Sequence, residues 1–307
     1  MRILITGGCG FIGSNLIKTL NLNNLFDITI IDDLSRGSLD YVKNFQYKEF
    51  INLDIVNSNH LNDTFKNIDC VIHLAALGSV VESIDYPHKN FKINVEGTFN
   101  VLNAARLNKV KKFIFASTGG ALMGNTDPPV SESSLPRPIS PYGSSKLAGE
   151  AYCSSFSESY GMNIIALRFA NIVGPNCNHK KGVINNFFEK IHKQENLTIF
   201  GDGSSSRDYL HVYDLCDGII AAINKDILGF NIYHLSSGTE TCISTIAEKV
   251  IRVAGKKDVG IIYEPSRKGE VENNFASSQL ARKELNFIPK YSLNEALRDA
   301  YKSIINE

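Results

Sequence analysis

The sequence predicts an α/β protein, a doubly wound parallel sheet with a smaller C-terminal lobe, on three observations. A charge-free apolar run, Ile3 to Ile5, leads directly into a glycine-rich turn and then a helical pattern. A second apolar run, Ile28 to Ile31, ends in two acids, Asp32 and Asp33. Strand-like and helix-like stretches then alternate to about residue 168. Strands covered by helices on both faces read as continuous apolar runs, which is the pattern seen here.

The first turn is the most informative. Gly8, Gly10 and Gly13 satisfy G-x-G-x-x-G, and Gly7, Gly10 and Gly13 satisfy the looser G-x-x-G-x-x-G. A turn without Cβ atoms lets the backbone approach a pyrophosphate. The helical spacing of Ile12, Leu16, Ile17 and Leu20 then aims the N–H groups of a helix start at the phosphates. Asp32 stands where an acid meets the adenosine ribose hydroxyls, completing a Rossmann-like unit and favouring NAD by repelling the extra phosphate of NADP. Arg36, close behind, leaves NADP open.

Further along, Lys48 to Asn52 reads as a third strand leading to Asp54 and Ile55, His60 to Lys66 as a short helix, and Cys70 to Leu74 as a fourth strand ending in Ala75 and Ala76. Phe91, Val95, Phe99, Leu102 and Ala105 mark a long helix whose apolar face is wide enough for core and partner. Lys112 to Ala116 is a fifth strand ending at Ser117, Thr118, Gly119 and Gly120. The proline- and serine-rich segment 125–141 is a loop over the carboxyl edge of the sheet. Tyr142 opens a helix to Tyr160, closed by Gly161, and Asn163 to Arg168 is a sixth strand. Val183 to Gln194 is helical and 202–206 a turn. Residues 1–167 therefore form the dinucleotide domain, to which the chain returns at about 214–235, and 168–307 are mainly the second lobe.

The chain has 307 residues, 43% of them hydrophobic, enough for one large core or two lobes sharing an interface. Its 32 basic and 32 acidic residues balance, which favours a small-molecule partner over nucleic acid or an anionic membrane. With no membrane-length apolar run and no signal-like N-terminus, a cytoplasmic location is expected. The six cysteines lack metal or disulfide spacing and read as reduced thiols, with no metal site.

Tyr142 and Lys146 lie four apart on one helical face. A neighbouring ammonium favours the phenolate, so the pair predicts a base able to take a hydroxyl proton while hydride leaves for the nicotinamide. Thr118, at a strand's carboxyl end, can share a hydrogen bond with the reacting oxygen, with Ser117 beside it.

These residues, together with Thr6 to Gly13, His73 to Ala76, Arg168 to Pro175, Gly201 to Gly203, Arg207-Asp208 and Arg267 to Glu270, resemble the extended short-chain dehydrogenase/reductase family in its nucleotide-sugar epimerase and dehydratase branch. The resemblance covers most of the chain. It implies that Gly7, Gly10, Phe11, Ile12, Gly13, Asp32, Asp33, Asp54, Ile55, Leu74, Ala75, Ala76, Tyr142 and Lys146 hold NAD. It gives Thr118, Tyr142 and Lys146 the catalytic roles and Ser117, Thr118, Asn171, Asn186, Arg207, Arg267 and Asn274 contacts to a UDP-sugar, with the two arginines on its diphosphate. It also implies a homodimer through helices at 91–106 and 142–160.

Dehydratases of that branch carry an Asp-Glu pair where this chain has Gly119 and Gly120, so 4-epimerisation through a transient 4-keto sugar is expected. A dehydratase, a 4-keto reductase and a catalytically dead NAD-binding protein are the alternatives. Asn274, in place of a bulky tyrosine, predicts room for an N-acetyl group, so that UDP-N-acetylglucosamine is accepted beside UDP-glucose. Relatives' tyrosine in the Tyr-Gly pair after that strand is Met123 here, and Ser277 or Ser278 replaces an Asp.

Overall fold

A computed structural model describes residues 1–22, 26–177, 182–256, 258–266 and 273–305. Seven parallel strands form its central sheet. In chain order they begin with β1 (Arg2–Thr6), β2 (Asp27–Asp32), β3 (Glu49–Asn52), β4 (Cys70–His73), β5 (Lys112–Thr118) and β6 (Ile164–Phe169). Then come β7 (Asn171–Val173), β8 (Leu197–Phe200), β9 (Ser206–His211) and β10 (Phe230–Leu235), the last of which joins the sheet. The order is β10-β6-β5-β4-β1-β2-β3. Chain direction across the sheet reverses between β1 and β4, where open α/β sheets form their ligand crevice.

Both faces of the sheet are buried, as continuous apolar strands require. Ile3, Ile5, Ile30, Ile72, Ile114 and Leu167 belong to the core on one side, and Leu4, Ile31, Val71, Phe113, Phe115 and Ala166 to that on the other. The C-terminal strands β11 (Glu240–Cys242), β12 (Ile261–Glu264) and β13 (Asn273–Asn274) build smaller sheets: β11 and β13 flank β9, which also pairs with β7, and β12 pairs with β8.

The helix expected from Phe91 onward departs from the periodic reading. Pro87–Phe91 is α-helical, Lys92–Gly97 is a π-helical turn, and Thr98–Leu107 is α-helical again. Polar residues Asn90, Asn94 and Thr98 face inward, whereas Phe91 and Phe99 are exposed. The wide turn lets Asn94 bond the backbone N–H and C=O of Leu77 and the Ser145 hydroxyl, and lets Gly97 rest against Ile55, where a Cβ would come within 2.7 Å of its side chain. Residues 125–140 form the expected loop, Pro141 already belonging to the next helix, and the loop is preceded by a short helix, Gly120–Met123, that the glycines did not announce.

Candidate active site

The first glycine turn is built of backbone packed on backbone. Gly7 has φ +71°, and a Cβ there would lie 2.7 Å from the Ala75 nitrogen; at Gly13 it would lie 2.4 Å from the Gly7 carbonyl oxygen. The helix Phe11–Asn21 starts at Gly10 with no side-chain cap, so no hydroxyl or carboxylate of the cap residue occupies its N-terminal end. Leu74, Ala75 and Ala76 lie half-buried beyond β4. These features fit a dinucleotide: a smooth cradle with a helix start left open to an anion.

Asp32 is buried, and its carboxylate accepts the Cys9 N–H at 2.9 Å and the Leu34 N–H at 2.9 Å. It thus braces the glycine turn from the end of β2. Asp33 is exposed and caps Ser35, and the exposed Asp54 accepts the Val56 N–H. Ile55 is buried under the π-turn. At the neighbouring strand His73 links Thr6 (2.7 Å) to Thr98 (2.9 Å); burial pushes its pKa down to about 3, so it is a neutral relay between the turn and the long helix.

The second half of the crevice centres on Tyr142. Ser140 caps the helix Pro141–Tyr160 by accepting the Gly143 N–H, Pro141 sits at its first turn, and Gly161 ends it in the left-handed conformation at φ +67°. Tyr142 is half-buried and hydrogen-bonded to Thr118 at the end of β5. Burial pushes its phenol up to about 12, with the Thr118 bond opposing that rise. Lys146 is buried, donates to the Ala116 carbonyl at 2.8 Å and sits 5.0 Å from the Phe115 ring centre; burial lowers it to about 8.

The electrostatic expectation is therefore corrected. In the protein alone Lys146 does not depress the phenol; desolvation dominates, and the ammonium is anchored to a strand carbonyl.

Residues from the second lobe come in along β9. Arg207 is paired in register with Asn274 of β13, and Asn274 lies against the turn after β5, where a Cβ on Gly120 would approach its Oδ1 to 3.0 Å. Asn171 of β7 donates to the Asp208 carbonyl of β9 at 3.2 Å. Asn186 lies exposed on the helix Val183–His192 and is not brought against the others by any described contact. Arg267 lies outside the described residues. Beside Gly119 the neighbour is His234, 3.3 Å from where a Cβ would stand, so the two glycines face an imidazole and an amide among the described residues.

Sequence reasoning missed a buried brace beneath this site. Glu150 accepts the Ser117 hydroxyl at 2.6 Å and both Nε and Nη2 of Arg168, at 2.9 and 2.8 Å. The bidentate pair is almost fully enclosed and fixes the strand end that carries Thr118. Its signal was Glu150 standing one helical turn beyond Lys146. A second omission is Ser83, whose hydroxyl accepts the Tyr142 N–H at 3.1 Å, satisfying a donor in the first turn of the helix.

A crevice of this construction, with phosphate-accepting backbone at one end and a hydroxyl pair over a buried lysine at the other, belongs to dinucleotide-dependent enzymes that act on a carbinol carbon. Comparison with known proteins narrows that class: the chain belongs to the NAD-dependent epimerase/dehydratase family, whose model matches residues 3–235. It is similar to a putative UDP-glucose 4-epimerase of Methanocaldococcus jannaschii, 34% identical over 96% of this chain and 96% of that one. Among solved structures it resembles the UDP-glucose 4-epimerase of Thermotoga maritima with UDP-glucose, at TM-score 0.93 and 32% identity over 100% of this chain and 99% of that one. It also resembles the UDP-N-acetylglucosamine 4-epimerase of Methanobrevibacter ruminantium in complex with UDP-N-acetylmuramic acid, at TM-score 0.92 and 30% identity over 99% and 98%. The chain is an NAD-dependent enzyme of the epimerase type, and no helix among its described residues is long and apolar enough to cross a membrane.

Proposed function

We propose that the enzyme interconverts the two C4 epimers of a UDP-sugar, UDP-glucose with UDP-galactose and UDP-N-acetylglucosamine with UDP-N-acetylgalactosamine. The observation that carries this reading is the Tyr142–Thr118 pair set against two glycines whose neighbours are His234 and Asn274. Eliminating water needs an acid for the leaving hydroxyl and a base for the adjacent carbon; removing and restoring one hydrogen needs a single proton carrier.

Tyr142 takes the proton from the sugar's 4-hydroxyl and later returns it, and Thr118 holds the phenol oxygen and the sugar oxygen in line. When bound, NAD supplies the hydride acceptor, and its oxidised ring adds the positive charge that a phenol pushed up to about 12 needs in order to ionise near neutrality. The glycine turn, Asp32, the Leu74 to Ala76 segment and Lys146 would hold the dinucleotide. Arg207 and Arg267 grip the substrate diphosphate, Asn171 and Asn186 contact the substrate, and Asn274 borders the sugar pocket. Residues 1–167 with 214–235 act as the dinucleotide domain and the remainder of 168–307 as the sugar lobe.

The enzyme works as a cytoplasmic homodimer. Phe99, Tyr152, Phe156 and Tyr160 stack edge to face along two adjacent helices, with ring centres 5.1–6.4 Å apart, and Phe91, Tyr152 and Tyr160 are exposed. That surface supports a paired-helix interface.

Incubating the purified enzyme with UDP-glucose and UDP-N-acetylglucosamine and resolving the epimers by NMR tests the reading. Tyr142→Phe is expected to lower kcat by about 10²- to 10⁴-fold with the fold intact. Asn274→Tyr is expected to suppress the N-acetylated activity selectively. A product lighter by one water, net consumption of added NADH, or an unchanged ratio in Asn274→Tyr would refute the corresponding part.

A further inference from the structure

Two segments outside the reacting centre meet across the mouth of the first glycine turn. Arg36, in the loop after β2, forms an ion pair with Glu82 on the helix Val80–Asp85 after β4. Because β1 lies between β2 and β4, a contact joining the segments that follow those two strands passes across the end of β1.

Both segments are held close to the turn. Gly37 packs so tightly on Cys9 that a Cβ would come within 2.6 Å of its carbonyl, and the Ser38 N–H donates to that same carbonyl at 3.1 Å. On the other side Gly7 packs on Ala75. Glu82 is itself fixed: its N–H donates to the Ser79 hydroxyl that caps its helix, and its side chain is only 14% exposed, against 36% for Arg36.

From this geometry we propose that Glu82 is a cofactor-selectivity residue. By engaging Arg36 it withholds a guanidinium from the adenosine ribose, and so reinforces the discrimination against a 2′-phosphate that Asp32 begins. Asp32 contributes negative charge at the end of β2, where dinucleotide folds contact the ribose hydroxyls, and an arginine near that point is how such folds accommodate a 2′-phosphate. Arg36 stands four residues beyond Asp32 and by sequence alone is such an arginine. The structure turns it instead toward a carboxylate from the opposite wall of the crevice.

Arg36 meets Glu82 through Nη2 and Oε1, and a guanidinium takes carboxylate and phosphate oxygens alike, so phosphate and carboxylate compete for the same donor. Since the pair is partly open to solvent, its effect is screened, and the selectivity it adds is on the order of tenfold rather than many thousandfold. The inference concerns nucleotide choice alone and does not depend on which sugar is epimerised.

The test is direct binding, read from nicotinamide fluorescence as the purified chain is titrated with NADH and with NADPH. In Glu82→Gln the ratio of the NADPH to the NADH dissociation constant is expected to fall about tenfold, chiefly through tighter NADPH binding. In Glu82→Gln/Arg36→Met that gain is expected to vanish, and Arg36→Met alone is expected to leave the ratio within about twofold of the unaltered protein.

The proposal is overturned if the ratio in Glu82→Gln stays within twofold, or if the double variant keeps the gain. It is overturned equally if Arg36→Met alone weakens NADPH tenfold, since Arg36 would then already serve the 2′-phosphate. That last arm needs no alteration at Glu82 and decides the matter even where Glu82→Gln fails to fold.

Discussion

Two glycine-rich turns end two strands of the same sheet, and they are glycine-rich for different reasons. After β1, the space a Cβ would need at Gly7 and Gly13 is filled by backbone: Ala75 nitrogen at 2.7 Å and Gly7 carbonyl oxygen at 2.4 Å. After β5, Gly119 and Gly120 face the side chains of His234 and Asn274 at 3.3 and 3.0 Å. Backbone in a braced turn cannot withdraw, whereas a side chain can yield by a few tenths of an ångström. The first turn is thus fixed by its own architecture, whereas the second is bounded by side chains that can move.

The sharpest way to break this contrast is Gly13→Ala. Its methyl group would collide with the Gly7 carbonyl, and a loss of about 3 kcal/mol or more is expected, with NAD binding abolished, as read by thermal melting and fluorescence titration. An unchanged melting temperature would show that the turn is softer than its packing implies.

The next effect is acid sensitivity. Each turn has a buried histidine at its side, His73 bonded to Thr6 before the first and His234 against Gly119 in the second. Both are pushed down to about 3 from about 6.5, His73 by burial and then the Lys146 charge, His234 by burial and then the Arg168 charge. Between those values the unfolded chain binds more protons than the folded one, so stability falls as pH drops from about 6.5 toward 3 and is insensitive to these groups above that window. His234→Asn is expected to reduce the slope of unfolding free energy against pH by up to about 1.4 kcal/mol per pH unit, measured by urea unfolding across the range. A slope that did not change would place the proton elsewhere.

The smallest effect expected is that of Gly120→Ala. Asn274 can shift, so stability should change by less than about 1 kcal/mol and NAD affinity by less than twofold, with a larger change confined to the substrate KM.

The same distinction explains what could be read in advance. The first turn, the strands beside it and the Tyr142 helix follow from local rules: apolar runs, absent Cβ atoms, a serine cap before Pro141 and a glycine after Tyr160. What escaped depends on groups far apart in the chain. Lys146 bonds the Ala116 carbonyl thirty residues upstream, Glu150 clasps Arg168 across a helix–strand contact, and Ser83 holds the Tyr142 N–H fifty-nine residues on. Nor does spacing register a π-turn, which adds a residue to the repeat between Asn90 and Thr98; the polar Asn90 and Asn94 are buried while Phe91 and Phe99 are exposed. The proximity of Asn274 to the turn after β5 arises through the register of β13 with β9, a non-local pairing with no trace in the adjoining sequence.

The outermost strand on one side of the sheet, β10, follows its partner β6 only after the chain has made β7, β8 and β9. During synthesis the nascent chain must therefore carry β6 as a bare hydrogen-bonding edge until residue 235 has cleared the ribosome. A protein truncated before that point would display an unpaired ribbon that is apolar apart from Arg168, and premature termination there should yield inclusion bodies instead of a smaller working domain.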